Sequence, residues 1–99
     1  MNIVKEQTGT TLTVTLSGKL DTLTSPDLEK VIATDLIGVK TLIFDLAKLT
    51  YISSAGLRVC LAAHKHMLAA GGSFTILHAE PKIMEVFEIT GFTDIMQFA

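Results

Sequence analysis

Two adjacent hydroxyls, Ser53 and Ser54, sit where the segment Asp45-Leu46-Ala47-Lys48-Leu49-Thr50-Tyr51-Ile52-Ser53-Ser54-Ala55-Gly56-Leu57-Arg58 passes from a buried strand, through a short loop, into a helical pattern. The first turn of a helix leaves N–H groups without helical acceptors and carries about half a positive charge. A serine there has two uses. It ordinarily caps the helix, so Ser54→Ala is expected to cost about 1 kcal/mol of stability. It can also carry a phosphoryl group, which would add about 1.5 to 2 negative charges where anions are already tolerated. The fold would survive that modification while its surface changed sign. The carboxyl end of a central strand is also where open α/β sheets place functional loops.

Other reactive side chains have plainer readings. His64 and His66 are two apart on a helix and point to different faces, so they cannot chelate one metal together. His64 falls on an apolar stripe and reads as a core or rim histidine. Cys60, among Val59, Leu61 and Ala62, reads as a buried inert thiol without a cationic neighbour. Nothing in the spacing of His78, Glu80 and Asp94 demands that they share a surface. Gly71-Gly72 resembles neither a phosphate-binding loop nor a dinucleotide fingerprint and is explained by helix termination. No Gly-x-Ser-x-Gly elbow and no zinc-ligand spacing occurs. The chain is therefore expected to be no enzyme, with neither cofactor nor metal.

The elements that must position the serines follow from periodicity. Thr11 to Leu16 alternates strictly, and residues 2–7 pair with it as an edge hairpin across Thr8-Gly9-Thr10. Thr41 to Leu46 is nearly continuous in apolar residues, as in a central strand covered on both faces. Residues 73–78 and 94–98 read as two further strands. Ser25-Pro26-Asp27 supplies a cap, a first-turn proline and an acid, and Leu28, Val31, Ile32 and Leu36 then share a face. From Ser54 the stripe is Leu57, Leu61, His64 and Leu68. Pro81 opens a third helix with Ile83, Met84, Phe87 and Ile89 expected inside, ending before Gly91. The order β-β-α-β-α-β-α-β predicts an α/β fold on one mixed, mostly parallel sheet of about five strands.

Composition limits the remaining choices. Ninety-nine residues fit one domain over residues 1–99. Eight basic against ten acidic residues, a net charge of −2, leave no basic footprint for nucleic acid. Apolar runs reach only about five residues, so no membrane insertion is expected. Early charge in the first six residues argues against a secretory leader, and one cysteine suits a reducing, cytoplasmic setting. At 48% hydrophobic and 18% charged residues, some apolar surface is left over for a partner or a weak homodimer.

The serine segment resembles the signature of the bacterial anti-sigma factor antagonists, small single-domain members of the STAS family. Leu42-Ile43-Phe44-Asp45-Leu46 matches the family's strand and Tyr51 its aromatic position. Ser54 falls on the phosphorylated serine, and Gly56-Leu57 match the Gly-Leu pair downstream of it. Gly18-Lys19-Leu20-Asp21 resembles the Gly-x-Leu/Ile-Asp turn ahead of the first helix. Gly71-Gly72, Pro81 and the stretch Phe87 to Gly91-Phe92 extend the match along the chain. Ser53 replaces the acid that often precedes the phosphoserine, which makes it a second candidate acceptor. The sequence ends at Ala99, so the family's usual final helix is expected to be missing or shortened, exposing Phe92, Ile95, Met96 and Phe98.

The resemblance implies a partner switch. The unphosphorylated form binds an anti-sigma factor, a serine kinase, and releases a sigma factor. Phosphorylation of Ser54 ends the interaction, and a PP2C-type phosphatase restores it. Contacts are expected from Asp21, Thr22, Ser53, Ala55, Gly56 and Arg58 around Ser54. Asp21 also reads as a turn former, and Gly56 as a position allowing another backbone to approach closely. A rival reading is a STAS accessory subunit of a lipid-trafficking ABC transporter, docked on its ATPase with both serines as caps only. A third, a nucleotide-binding enzyme, lacks any base or metal ligand.

Overall fold

The computed structural model describes all 99 residues. β1 (Asn2–Thr8) and β2 (Thr11–Leu20) form the expected hairpin, closed by Gly9 at φ +60. α1 (Ser25–Thr34), β3 (Thr41–Ile52), α2 (Ser54–Ala69), β4 (Ser73–Leu77) and α3 (Pro81–Ile89) come next along the chain. A single 3₁₀ turn at Phe92–Asp94 precedes a two-residue β5 (Gln97–Phe98), shorter than the expected strand over 94–98. Strand order is β1-β2-β3-β4-β5, antiparallel only between β1 and β2, so the α/β reading holds.

Period two sorts the sheet into two faces. Leu12, Val14 and Leu16 of β2, Leu42, Phe44 and Leu46 of β3, and Phe74 and Ile76 of β4 are buried together, with Phe44 and Phe74 in edge-to-face contact at 4.9 Å. The opposite residues Thr13, Thr15, Ile43, Asp45 and Thr75 are only half-buried. β3 is thus covered fully on one face, not on both.

β3 is also far longer than Thr41 to Leu46, and no loop separates it from α2. Thr15 faces Asp45 whereas Ser17 faces Lys48, and Gly18 faces Leu49 whereas Lys19 faces Tyr51. Each step leaves one extra residue on β3, a bulge that bends the strand and shifts its alternation. Buried positions therefore run Leu42, Phe44, Leu46 and then Leu49 and Ile52, three apart. Asp45 Oδ1 accepts the Ala47 N–H at 3.0 Å in the first bulge, and Thr50 Oγ1 donates to the Gly18 carbonyl at 3.0 Å beside the second.

The helices differ from expectation in detail. Leu28, Val31, Ile32 and Leu36 are buried as expected, but α1 begins at Ser25 with Thr24 ahead of it. The Ser25 hydroxyl is buried on the Asp21 carbonyl and does not serve as a cap. On α2 the buried residues are Gly56, Leu57, Val59, Cys60, Ala63 and Met67, so of the expected stripe Leu57 is inside and Leu61 half-buried. His64 is half-buried beside Phe74, and Leu68 is exposed. Gly56 on the buried face, where a Cβ would meet Leu20 and Ile52, lets the start of the helix lie close to the sheet. On α3, Ile83 and Phe87 are buried but Ile89 is 78% exposed, since the helix ends there and the chain turns at Gly91. Of the four apolar residues expected at the surface near the C-terminus, Met96 is instead buried, and Phe98 packs on Phe87 at 5.1 Å.

Candidate functional site

β2 and β3 end side by side, and the site is built on that ending. Leu20 pairs with Ile52, and the Ser53 N–H donates to the Leu20 carbonyl at 2.9 Å. The turn Asp21–Thr24 and the start of α2 therefore emerge together at one end of the sheet.

The turn is held from within. Asp21 Oδ1 accepts the N–H groups of Leu23 and Thr24, both at 3.0 Å, and the Asp21 N–H donates to Thr24 Oγ1 at 2.9 Å. The Thr24 N–H above all holds the Asp21 carboxyl below its usual range; the Thr24 hydroxyl and the Leu23 N–H assist, and partial desolvation opposes them. Asp21 is thus the turn former expected of it. Thr22 and Leu23 project outward, Leu23 being 87% exposed.

The two serines divide the duties expected of them. Ser53 is the cap: its backbone is extended, its Oγ accepts the Gly56 N–H at 3.3 Å, and its carbonyl accepts the Leu57 N–H at 2.9 Å. Ser54 is the first residue of the helix, exposed, with its hydroxyl in no hydrogen bond within the chain. The expectation that Ser54 caps α2 is therefore corrected, because the chain stays extended through Ser53 and turns helical only at Ser54.

Gly56 is buried beneath them. A Cβ there would lie 2.7 Å from Leu20 Cγ and 2.9 Å from Ile52 Cγ1. Its absence lets α2 seat on the paired ends of β2 and β3, so what approaches Gly56 closely is two side chains of this chain and not another backbone. Ala55 is half-buried and Arg58 exposed. Arg58 has no ion pair; Lys5 pairs with Asp35. The structure thus brings Asp21, Thr22, Ser53, Ser54, Ala55 and Gly56 to one corner, with Arg58 one turn along α2.

Elsewhere, desolvation pushes the buried Cys60 thiol up to about 12, in keeping with an inert role. His78 meets neither Glu80 nor Asp94 but Asp45, with Nδ1 to Oδ1 at 3.1 Å, from a left-handed backbone at φ 59. Sequence reasoning missed that pair, since parallel pairing of β3 with β4 creates it. No helix is long and apolar enough to cross a membrane.

A family model described as the STAS domain matches residues 2–99. The chain belongs to the STAS domain family. Among curated relatives, BtrV, a candidate anti-sigma factor antagonist of Bordetella bronchiseptica, is 33% identical over 100 residues, covering 100% of this STAS domain and 86% of that protein. The anti-sigma-B factor antagonist of Listeria monocytogenes is 28% identical over 103 residues, covering 98% and 89%. Among solved structures, the anti-sigma factor antagonist SpoIIAA in its unphosphorylated form aligns with a TM-score of 0.80 at 22% identity, over 99% of this domain and 87% of that chain. The Bacillus SpoIIAA in its phosphorylated form also gives 0.80, at 25% identity, over 99% and 91%.

Proposed function

We propose that this STAS domain is a cytoplasmic anti-sigma factor antagonist that works by partner switching, without catalysis of its own. Unphosphorylated, it binds an anti-sigma factor through the corner around Ser54 and frees a sigma factor. The anti-sigma factor, acting as a serine kinase, transfers the γ-phosphoryl group of ATP to Ser54 Oγ, with loss of the hydroxyl proton and release of ADP. A PP2C-type phosphatase hydrolyses the phosphoserine with water and resets the switch. The relatives described as anti-sigma factor antagonists support the first part of this reading.

The observation that carries the rest is the division of labour between the serines. Ser53 supplies the cap, so modifying Ser54 breaks no hydrogen bond of the fold. A phosphate on the first residue of α2 meets the positive end of the helix and is tolerated there. It also lies one turn before Arg58, the favourable order for an acid and a base four apart. The modified surface repels a partner shaped for a neutral hydroxyl, while the domain beneath stays folded.

The test compares proteins captured from the source organism by wild type, Ser54→Asp and Ser54→Ala. An anti-sigma factor kinase is expected with wild type and Ser54→Ala and absent with Ser54→Asp. Purified, it should phosphorylate the wild type at Ser54, located by mass spectrometry, and leave Ser54→Ala unmodified. Capture of a transporter ATPase equally by all three forms would replace this reading with the accessory-subunit one. Phosphate found on Ser53 would move the switch by one residue.

A further inference from the structure

We propose that the groove between α1 and α2 is the second half of the docking surface, and that it takes an amphipathic segment of the anti-sigma factor. This inference rests on the partner-switching reading above.

The groove has a volume of about 540 Å³, within the usual range for binding clefts. Ile32 of α1 and Val59 of α2 are buried and form its floor. Ala33 stands on one wall and Ala62 on the other, both exposed and both small. Two helices presenting alanines across an apolar floor leave room for inserted side chains. Polar groups flank that strip with opposite charge: Glu29 on the α1 wall, Arg58 on the α2 wall. An occupant with apolar residues along one edge, an acid towards Arg58 and a base towards Glu29 satisfies the whole cleft.

Position assigns the groove to the same partner. Ser54, Arg58, Ala62 and His66 are spaced by four, so they form one exposed ridge along α2. Ala55, beside Ser54, also lines the groove. A protein seated on Ser54 therefore meets the mouth of the cleft without reorienting. Arg58 joins the two halves, because it flanks the cleft and lies within a helical turn of any phosphate on Ser54. A phosphate there draws Arg58 away from the occupant's acid, so modification weakens both halves at once.

The experiment measures binding of the purified anti-sigma factor to wild type, Ser54→Asp, Ala33→Trp and Ala62→Trp. Both alanines are exposed helical positions, so the tryptophan variants should keep the wild-type circular dichroism and melting temperature. Each is expected to weaken binding by at least about tenfold, because the indole fills the cleft. Phosphorylation mapping then has to place phosphate at Ser54 in the wild type. If either tryptophan variant binds within about twofold of wild type while Ser54→Asp fails to bind, the groove proposal is wrong and the role of Ser54 stands. Self-association of the wild type, abolished by Ala62→Trp, would give the groove to a second copy and overturn the proposal. If no anti-sigma factor binds the wild type at all, both readings fall together.

Discussion

Neighbouring serines that look interchangeable are expected to behave very differently when each is truncated. Ser53→Ala removes the hydroxyl that accepts the Gly56 N–H and should cost about 1 kcal/mol in urea unfolding. Ser54→Ala removes an exposed hydroxyl without a partner in the chain and should stay within about 0.5 kcal/mol of wild type. Equal losses would contradict the assignment of the cap. Gly56→Ala improves helix propensity by up to about 1 kcal/mol yet pushes a methyl into Leu20 and Ile52. Both are buried and branched, so overpacking of about 1–3 kcal/mol should prevail and the variant should be less stable. Asp21 links the corner to pH. Its folded pKa lies below the unfolded value near 3.9, so its contribution is complete above that value and fades as pH falls through the lower, folded one. Comparing Asp21→Asn with wild type should therefore show a stability gap at about pH 6 that closes below about pH 4. A gap unchanged in acid would rule out the charged carboxylate as its source.

At the scale of elements, the glycines after α2 end the helix in two separate ways. Gly71, at φ +74, donates to the Leu68 carbonyl, and the Gly72 N–H reaches the Met67 carbonyl at 2.8 Å. A Cβ on Gly72 would collide with the Lys40 carbonyl, part of the backbone that also accepts the Ser73 N–H. Backbone moves less readily than a side chain, so Gly72→Ala should destabilise more than Gly56→Ala in the same unfolding assay. The element order, the hairpin, the α1 stripe and the helix stops were all legible, because each is written in local periodicity or in a turn residue. The bulges in β3 were missed although their trace is present: apolar positions spaced two, two, three and three from Leu42 to Ile52. The inward face of α2 was legible at Leu57 and misread beyond it, for a different reason. Gly56 and Ala63 share that face with Val59, Cys60 and Met67, and apolar periodicity alone undervalues such small residues beside Leu61 and Leu68. The serine corner was legible as a place. Which serine caps and which stays exposed depended on one backbone angle, the extended ψ of 175 at Ser53.

For the molecule as a whole, phosphorylation of Ser54 should change a corner and nothing else. Amide shifts on modification are expected in residues 20–24 and 51–59, with those of β1, β4 and α3 unmoved; widespread shifts would mean that the sheet itself responds. The ion pair of Lys5 with Asp35, 2.7 Å long, ties β1 to the chain just after α1. Both partners are solvent-exposed to a degree that screens them, so Lys5→Ala should cost under about 1 kcal/mol, and less in high salt. The strands lie side by side in the order in which they occur along the chain, from β1 to β5. As the polypeptide leaves the ribosome, each strand from β2 onward finds its preceding neighbour already made, and no strand has to be inserted between two earlier ones. Each crossover helix can settle as its second strand docks. Assembly can thus keep pace with translation.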